Sequence, residues 1–562
     1  MLKVVLILLG LLLLARFFPR SGSAGKRGRA ARKTASLIWL ALLYLFFRGI
    51  GGHGFLDPIE GINASVALNM LMGGNFVVPM VGGHLYVGNT MGYWWLSALS
   101  LSVFGLSEFA MRFWSVVGGL GMAAAGWLIA LRVGGERSAN YAAVLIGTSL
   151  LVYVTSQLAS PHALYAFFVT MSLTGAVYAL RNERFFILLH ISAILAFVVY
   201  GPSGIALPWL SLLAYAVLAR QEHFFTKALF FWPGLLLTVV IGGGYIIFLG
   251  YLNPNILTFM LYNISSEAFS SAYCVLFVLV AGFIPWTGVL PGAVKSALPL
   301  RRGGNVLPDE SQSAKALLLV WSAVFLFFGA LSRDALLLVA PLPALGVLCA
   351  NYLAEAVEKK NVRLLQRVVA LEIILLVPFL FVGLTWIYTS GNELMRHTLM
   401  SVIPWAFFCF VFLYVGWKYA RARRPRELML FMSMLALIAL LPLAGVFNLL
   451  GENLSVRSIG RYLSREIRHD DLLLQNALNH PSLYFYVRRP GLTSTLLHAN
   501  VYQRMVGQNV VDNAEMNRMW EGEGRVFMLL SRNPAILGTL PRVVYSLYEA
   551  RDIVVLSNRR DM

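Results

Sequence analysis

Charge is scarce in this chain, and acid is scarcest: of 562 residues only 13% are Asp, Glu, Lys or Arg, and 26 acids stand against 45 bases. So few charged side chains cannot cover the surface of several soluble domains, which excludes the reading that length alone would suggest. Cysteine is nearly absent. Cys274, Cys349 and Cys409 lie in different apolar stretches with no CxxC pair, so they read as small core residues and say nothing about redox compartment. No HxH or HExxH spacing supports a metal site, no fixed-period repeat supports a solenoid, and no interleaving of basic with aromatic residues supports a nucleic-acid surface.

What is abundant is apolar surface, 58% of the chain. A helix needs about 20 predominantly apolar residues to span a hydrocarbon core, because lipid offers no partner for a free backbone N–H or C=O. Thirteen segments meet that test, near 35–51, 112–132, 138–157, 163–180, 184–200, 203–219, 229–250, 272–294, 315–331, 335–354, 364–388, 398–417 and 427–449. A further apolar run, Met1 to Phe18, is followed rather than preceded by its basic residues (Arg16, Arg20, Lys26, Arg27, Arg29, Arg32, Lys33), so it reads as an extra anchor and not a signal peptide. Alternate loops carry the excess of Lys and Arg behind the net charge of +19, which makes them cytoplasmic and puts 52–111 and everything after Gly451 on the outer face.

These signals give an all-α polytopic bundle of about thirteen transmembrane helices with three regions. Residues 1–34 form an anchor and basic linker, 35–450 the membrane domain with the outer loop 52–111, and 451–562 a small outer-face α/β domain. In that last region "RSIGRYLSREIRHDD" reads as a helix, and "PSLYFYVRRP", "GRVFMLLSRNP" and "RDIVVLSNRR" as strands. Within the outer loop, "NASVALNMLMGG" has the apolar spacing of one helix face, stopped by Gly73 and Gly74, and reads as a helix lying on the membrane surface. Between Gly54 and Trp95 the loop carries two carboxylates, Asp57 and Glu60, flanking Pro58. Either they cap the helix that starts near Gly61, or one of them is a reacting base.

The stretch "MLMGGNFVVPMVGGHLYVGNTMGYWWLSALSLSVFGLSEFAMRFWSVVGG" resembles the first outer loop and second span of the lipid-carrier-dependent glycosyltransferases of the GT-C class, which include the lipid A aminoarabinose transferases and relatives of the protein O-mannosyltransferases. "SPHALYAFFVTMSL", "YGPSGIALP", "FIPWTGVLPGA", "SRDALLLVAPLPAL" and "HPSLYFYVRRP" follow in the family's order. The resemblance implies a GT-C type bundle in the bacterial inner (cytoplasmic) membrane. It implies inverting transfer of a sugar from a polyprenyl phosphate to an envelope acceptor, with Asp57 or Glu60 as base.

The family's charged positions are altered. Its base position, counted from Gly74, is Ile59; its acidic metal ligand is Gly88; its acid at the start of the fourth span is His162; its Lys before Gly-Pro is Tyr200. A divalent metal is therefore left open, with its ligands unknown. The resemblance places His84, Tyr86, Tyr93, Trp94, His162, Tyr200, Glu267 and Arg333 around the substrate, Arg333 toward the lipid phosphate and Glu267 toward the metal. His162 reads as a ligand, a proton carrier or a helix-end polar residue, and Tyr93 and Trp94 equally as an interfacial belt. Two functions stay open: a divergent transferase, or a non-catalytic relative that binds a lipid-linked intermediate or scaffolds envelope glycan assembly. A transporter is disfavoured, since no Gly/Pro-broken helix pair recurs in two halves.

Overall fold

A computed structural model describes residues 26–81, 84–86, 90–252, 272–298, 310–332, 334–389, 393–468, 470–475, 480–488, 494–496, 505–506, 513–531, 544–550 and 553–559. The anchor Met1 to Phe18, Gly88, Glu267 and Arg333 lie outside them, as does the side chain of His84. The apolar segments fold as helices. Among the described residues seven are long and apolar enough to cross a membrane, from Glu108–Gly147 to Pro425–Gly451. An eighth arises if Leu276–Gly282 and Thr287–Ala297, bent by 110°, form one broken span. The chain is a multi-pass membrane protein.

The expected segments 112–132 and 138–157 are two helices folded against each other at Gly135, whose φ of 79° a residue with a Cβ adopts at a steric cost, and the second breaks at Thr148 and Ser149 before Leu150–Gln157. The segment 272–294 is broken where Pro285 removes a backbone donor. On the opposite side of the broken span, the buried Glu372 carboxylate accepts the Gly288 N–H and so serves one of the donors that the break exposes.

The helix Ile59–Gly73, ended by Gly74 with φ 69°, does not lie on a surface. Nine of its fifteen residues are buried, on all sides, because it is sandwiched between the helix Gly92–Phe104 and the C-terminal helix Ser482–Val487. That second partner corrects the sequence reading of "PSLYFYV" as a strand. Pro481 pre-sets the first turn, and a carboxylate from the outer loop accepts the Ser482 N–H.

The C-terminal region carries β3 (Leu472–Gln475), β4 (Ser494–Leu496), β6 (Val526–Ser531), β7 (Tyr545–Ala550) and β8 (Ile553–Ser557) in the order β4-β3-β6-β8-β7. β3 pairs in parallel with β4 and β6, and β8 runs antiparallel to β6 and β7. The central strand β6 is buried on both faces: Phe527 and Leu529 join the main core, while Val526, Met528 and Leu530 pack with Met516 and Trp520. A second sheet joins this region to the outer loop. In it β2 (His84–Tyr86) pairs antiparallel with both β1 (Met80–Val81) and β5 (Met505–Val506). The loop and the C-terminal region thus share one end of the bundle.

Candidate functional site

Both loop carboxylates are buried, and each is held by partners from another part of the chain. Glu60 has no exposed side-chain surface. Its Oε1 accepts from Arg112 Nε at 2.7 Å and Ala159 N at 2.6 Å, and its Oε2 from the second Arg112 fork at 2.8 Å and Leu56 N at 2.8 Å. The remaining Arg112 donors reach the carbonyls of Ile50, His53 and Gly54 at 2.8, 2.9 and 3.1 Å. Burial alone would raise the Glu60 carboxyl, but the guanidinium holds it below the ordinary carboxylate range. A carboxylate with four donors and no solvent contact is not presented to an incoming hydroxyl. The expectation of a base on Glu60 gives way to a structural one, a bidentate clamp between the loop and the helix that starts at Glu108.

Asp57 is turned the other way, into the C-terminal region. Its Oδ1 accepts the Ser482 N–H at 3.0 Å, and its Oδ2 accepts the Ser482 hydroxyl at 2.5 Å and faces His480 Nδ1 at 3.3 Å. Only 3% of its side chain is exposed, and burial raises its carboxyl despite these partners. Gly61 makes this approach possible: a Cβ there would collide with the Asp57 carboxylate and the Ser482 backbone nitrogen. Around this latch Phe55 N donates to Tyr486 Oη at 2.8 Å, Ser65 Oγ to Pro481 O at 2.5 Å, and Tyr486 Oη to Glu108 at 3.2 Å. Asp57, like Glu60, is built into the scaffold rather than into an open cleft.

The aromatics expected around the substrate are also core. Trp94 donates to Asn63 Oδ1 at 2.8 Å and meets Tyr86 edge-on at 5.7 Å, and the Tyr93 hydroxyl donates to Met111 O at 3.1 Å. None of the three is more than 4% exposed, so they brace the loop against the helices.

The open polar cluster lies elsewhere at the same end. His162 begins the helix His162–Ala179, Tyr200 ends Phe186–Tyr200 where Gly201 turns the chain with φ 110°, and Asp334 caps the 3-10 turn Ala335–Val339. Asp334 Oδ2 is 2.6 Å from His162 Nε2 and accepts the Tyr200 hydroxyl at 2.9 Å, while its Oδ1 accepts the Leu336 N–H at 3.0 Å. Burial would raise Asp334, but the adjoining imidazole and the two further hydrogen bonds draw it down to about 2. The imidazole packs 5.3 Å from the Tyr200 ring, itself 4.9 Å from Tyr165. His162 keeps 6% of its side chain exposed and Asp334 37%. Two expected residues, His162 and Tyr200, are thus brought together by an acid outside the expected set, Asp334. Among the described residues no three His, Cys, Asp or Glu side chains gather closely enough to hold a metal ion.

Sequence reading missed Arg112, His480 and Ser482. Arg112 left a signal, since a lone base inside the apolar run "FAMRFW" needs a buried acid. His480 and Ser482 left none.

No protein-family model matches the chain. It is 26% identical to the undecaprenyl phosphate-alpha-4-amino-4-deoxy-L-arabinose arabinosyl transferase 1 of Sodalis glossinidius over 57% of this chain and 60% of that one. The chain therefore spans about three fifths of the length of this curated relative. In three dimensions it matches the ArnT of Cupriavidus metallidurans, solved bound to undecaprenyl phosphate, with a TM-score of 0.78 at 18% identity, over 93% of this chain and 97% of that one. The fold is that of a GT-C glycosyltransferase. The GT-C scaffold extends to a more distant relation, the archaeal oligosaccharyltransferase AglB of Archaeoglobus fulgidus, with a TM-score of 0.52 at 11% identity over 89% of this chain and 69% of that one.

Proposed function

We propose that this chain is an inner-membrane glycosyltransferase that takes a sugar from a polyprenyl-phosphate donor on the outer leaflet and passes it, with inversion, to an envelope acceptor. The observation that carries this reading is the correspondence of nearly the whole chain to a solved aminoarabinose transferase that holds undecaprenyl phosphate. The named relatives act on the same class of donor. In this reading thirteen spans cross the membrane, residues 35–450 form the membrane domain, and 451–562 form a domain on the periplasmic side, packed on the 52–111 loop. Arg333 and Glu267 belong to the donor side.

The test is a deletion strain complemented with the wild-type gene, its envelope lipids, glycans and glycoproteins compared by mass spectrometry. Loss of one glycosylated species on deletion, its return on complementation, and binding of undecaprenyl phosphate by the purified protein are the expected results. An unchanged envelope with no carrier binding overturns the reading. Carrier binding with an unchanged envelope favours the non-catalytic alternative.

A further inference from the structure

His162, Asp334 and Tyr200 form a polar cluster at this end of the bundle, outside the two loop clamps. His162 is the group whose chemistry is incomplete. Its Nε2 is bound to Asp334 Oδ2 at 2.6 Å, whereas its Nδ1 is shielded from solvent and has no hydrogen-bond partner among the described residues. With 94% of the side chain covered, that nitrogen carries an uncompensated desolvation cost unless a donor reaches it. In the neutral imidazole the carboxylate at Nε2 selects the tautomer protonated there, which leaves the lone pair on Nδ1. The Tyr200 hydroxyl, donating to the same Oδ2 at 2.9 Å, and the Leu336 N–H on Oδ1 hold the carboxylate in that orientation. The titratable side chains that the described residues place against the imidazole are Asp334 and Tyr200, with Tyr165 behind the latter.

The cluster sits at the outer-loop end. Ala159, three residues before His162, gives its N–H to Glu60 and its carbonyl to Asn63. The loop that resembles the donor-binding loop of glycosyltransferases is therefore anchored beside the imidazole.

Building on the glycosyltransferase reading, we infer that His162 is the proton acceptor of the transfer and that Asp334 and Tyr200 are its positioning residues. The acceptor hydroxyl gives its proton to Nδ1 as its oxygen bonds to the anomeric carbon. The bond from that carbon to the phosphate oxygen breaks, and its electron pair leaves on the polyprenyl phosphate. Asp334 stays ionised and compensates the imidazolium, which then releases its proton to water. The base has thus moved from a loop carboxylate to a helix-end imidazole, and the two loop carboxylates are free to be buried as clamps.

The experiment uses isolated membranes of the complemented deletion strain, which supply the chain's own donor and acceptor, together with purified full-length protein. The wild type is read first: if it restores no glycosylated species, the glycosyltransferase reading fails and the variants are not reached. Given wild-type transfer, His162→Ala loses turnover by about 10²–10⁴-fold while thermal stability and undecaprenyl phosphate binding stay at wild-type levels, and added imidazole restores part of the rate. Asp334→Asn lowers the rate with carrier affinity unchanged. Turnover of His162→Ala within about threefold of wild type overturns the assignment. If His162→Ala unfolds, His162→Gln decides: a folded, inactive His162→Gln supports the assignment, and a folded, fully active one overturns it, since glutamine packs and hydrogen-bonds but accepts no proton at neutral pH.

Discussion

Arg112 commits all five of its N–H donors, two to the carboxylate of Glu60, two to the outer-loop carbonyls of His53 and Gly54, and one to the carbonyl of Ile50 just before the loop. Both side chains are fully buried, so neither charge has water to fall back on if the other is removed. Glu60→Gln and Arg112→Met should each destabilise the protein by about 3–5 kcal/mol. Thermal unfolding in detergent measures this, and the double variant Glu60→Leu/Arg112→Leu recovers part of the loss. A Glu60→Gln protein that melts with the wild type yet transfers no sugar would return Glu60 to the chemistry.

Asp57 latches the loop to the C-terminal region through Ser482 and His480. Asp57→Ala strands the Ser482 N–H and hydroxyl and should cost about 1–3 kcal/mol. Limited proteolysis will then cut the C-terminal region faster than in the wild type, while cleavage within the membrane helices is unchanged. Equal cleavage rates would show that the latch holds nothing.

Two glycines of one helix give opposite outcomes. A Cβ on Gly61 meets the Asp57 carboxylate and the Ser482 backbone, while one on Gly73 meets nothing within 4 Å. Gly61→Ala should lower the melting temperature and loosen the C-terminal region. Gly73→Ala should be neutral or stabilising by up to about 1 kcal/mol, the helix gain of alanine over glycine. Similar melting shifts for both would contradict the close packing at Gly61.

His53 makes stability depend on pH. It stacks on Phe447 at 5.5 Å with Nδ1 against Gly54 O and Nε2 unpaired, and burial, aided by the nearby Arg112, lowers its pKa to about 4. Between about 6.5 and 4 the unfolded chain binds a proton there that the folded chain refuses. The stabilisation is complete above pH 6.5 and disappears as pH falls toward 4, with an upper magnitude of about 3 kcal/mol. Melting curves at pH 7.5, 6, 5 and 4 should fall more steeply for wild type than for His53→Phe. Parallel curves would show that His53 is already charged in the folded protein.

Much of the architecture was legible because the membrane reduces it to one-dimensional rules. Lipid forces long apolar runs into helix, so the expected segments fall largely on helical residues, with breaks inside 138–157, 272–294 and 427–449. The stop at Gly73 and Gly74 was readable because glycine alone takes a positive φ cheaply there. The strand expected at "PSLYFYV" failed because its helix is started by a carboxylate 425 residues away, which no local pattern records. The burial of Tyr86, Tyr93 and Trp94 was unreadable for the same kind of reason: whether an aromatic faces open space or a neighbouring helix depends on which helix arrives.

By itself the sequence determined that this chain lives in a membrane, which long apolar segments are helical, and that acids are so few that each must matter. Only the tertiary structure decided what each acid does. Glu60 is set by an arginine 52 residues away, Asp57 by a serine in the C-terminal region, and Asp334 by a histidine 172 residues before it. The physical reason is that a carboxylate has no intrinsic role: its charge state, its access to solvent and its reactivity are set by the donors around it, and folding alone brings those donors together.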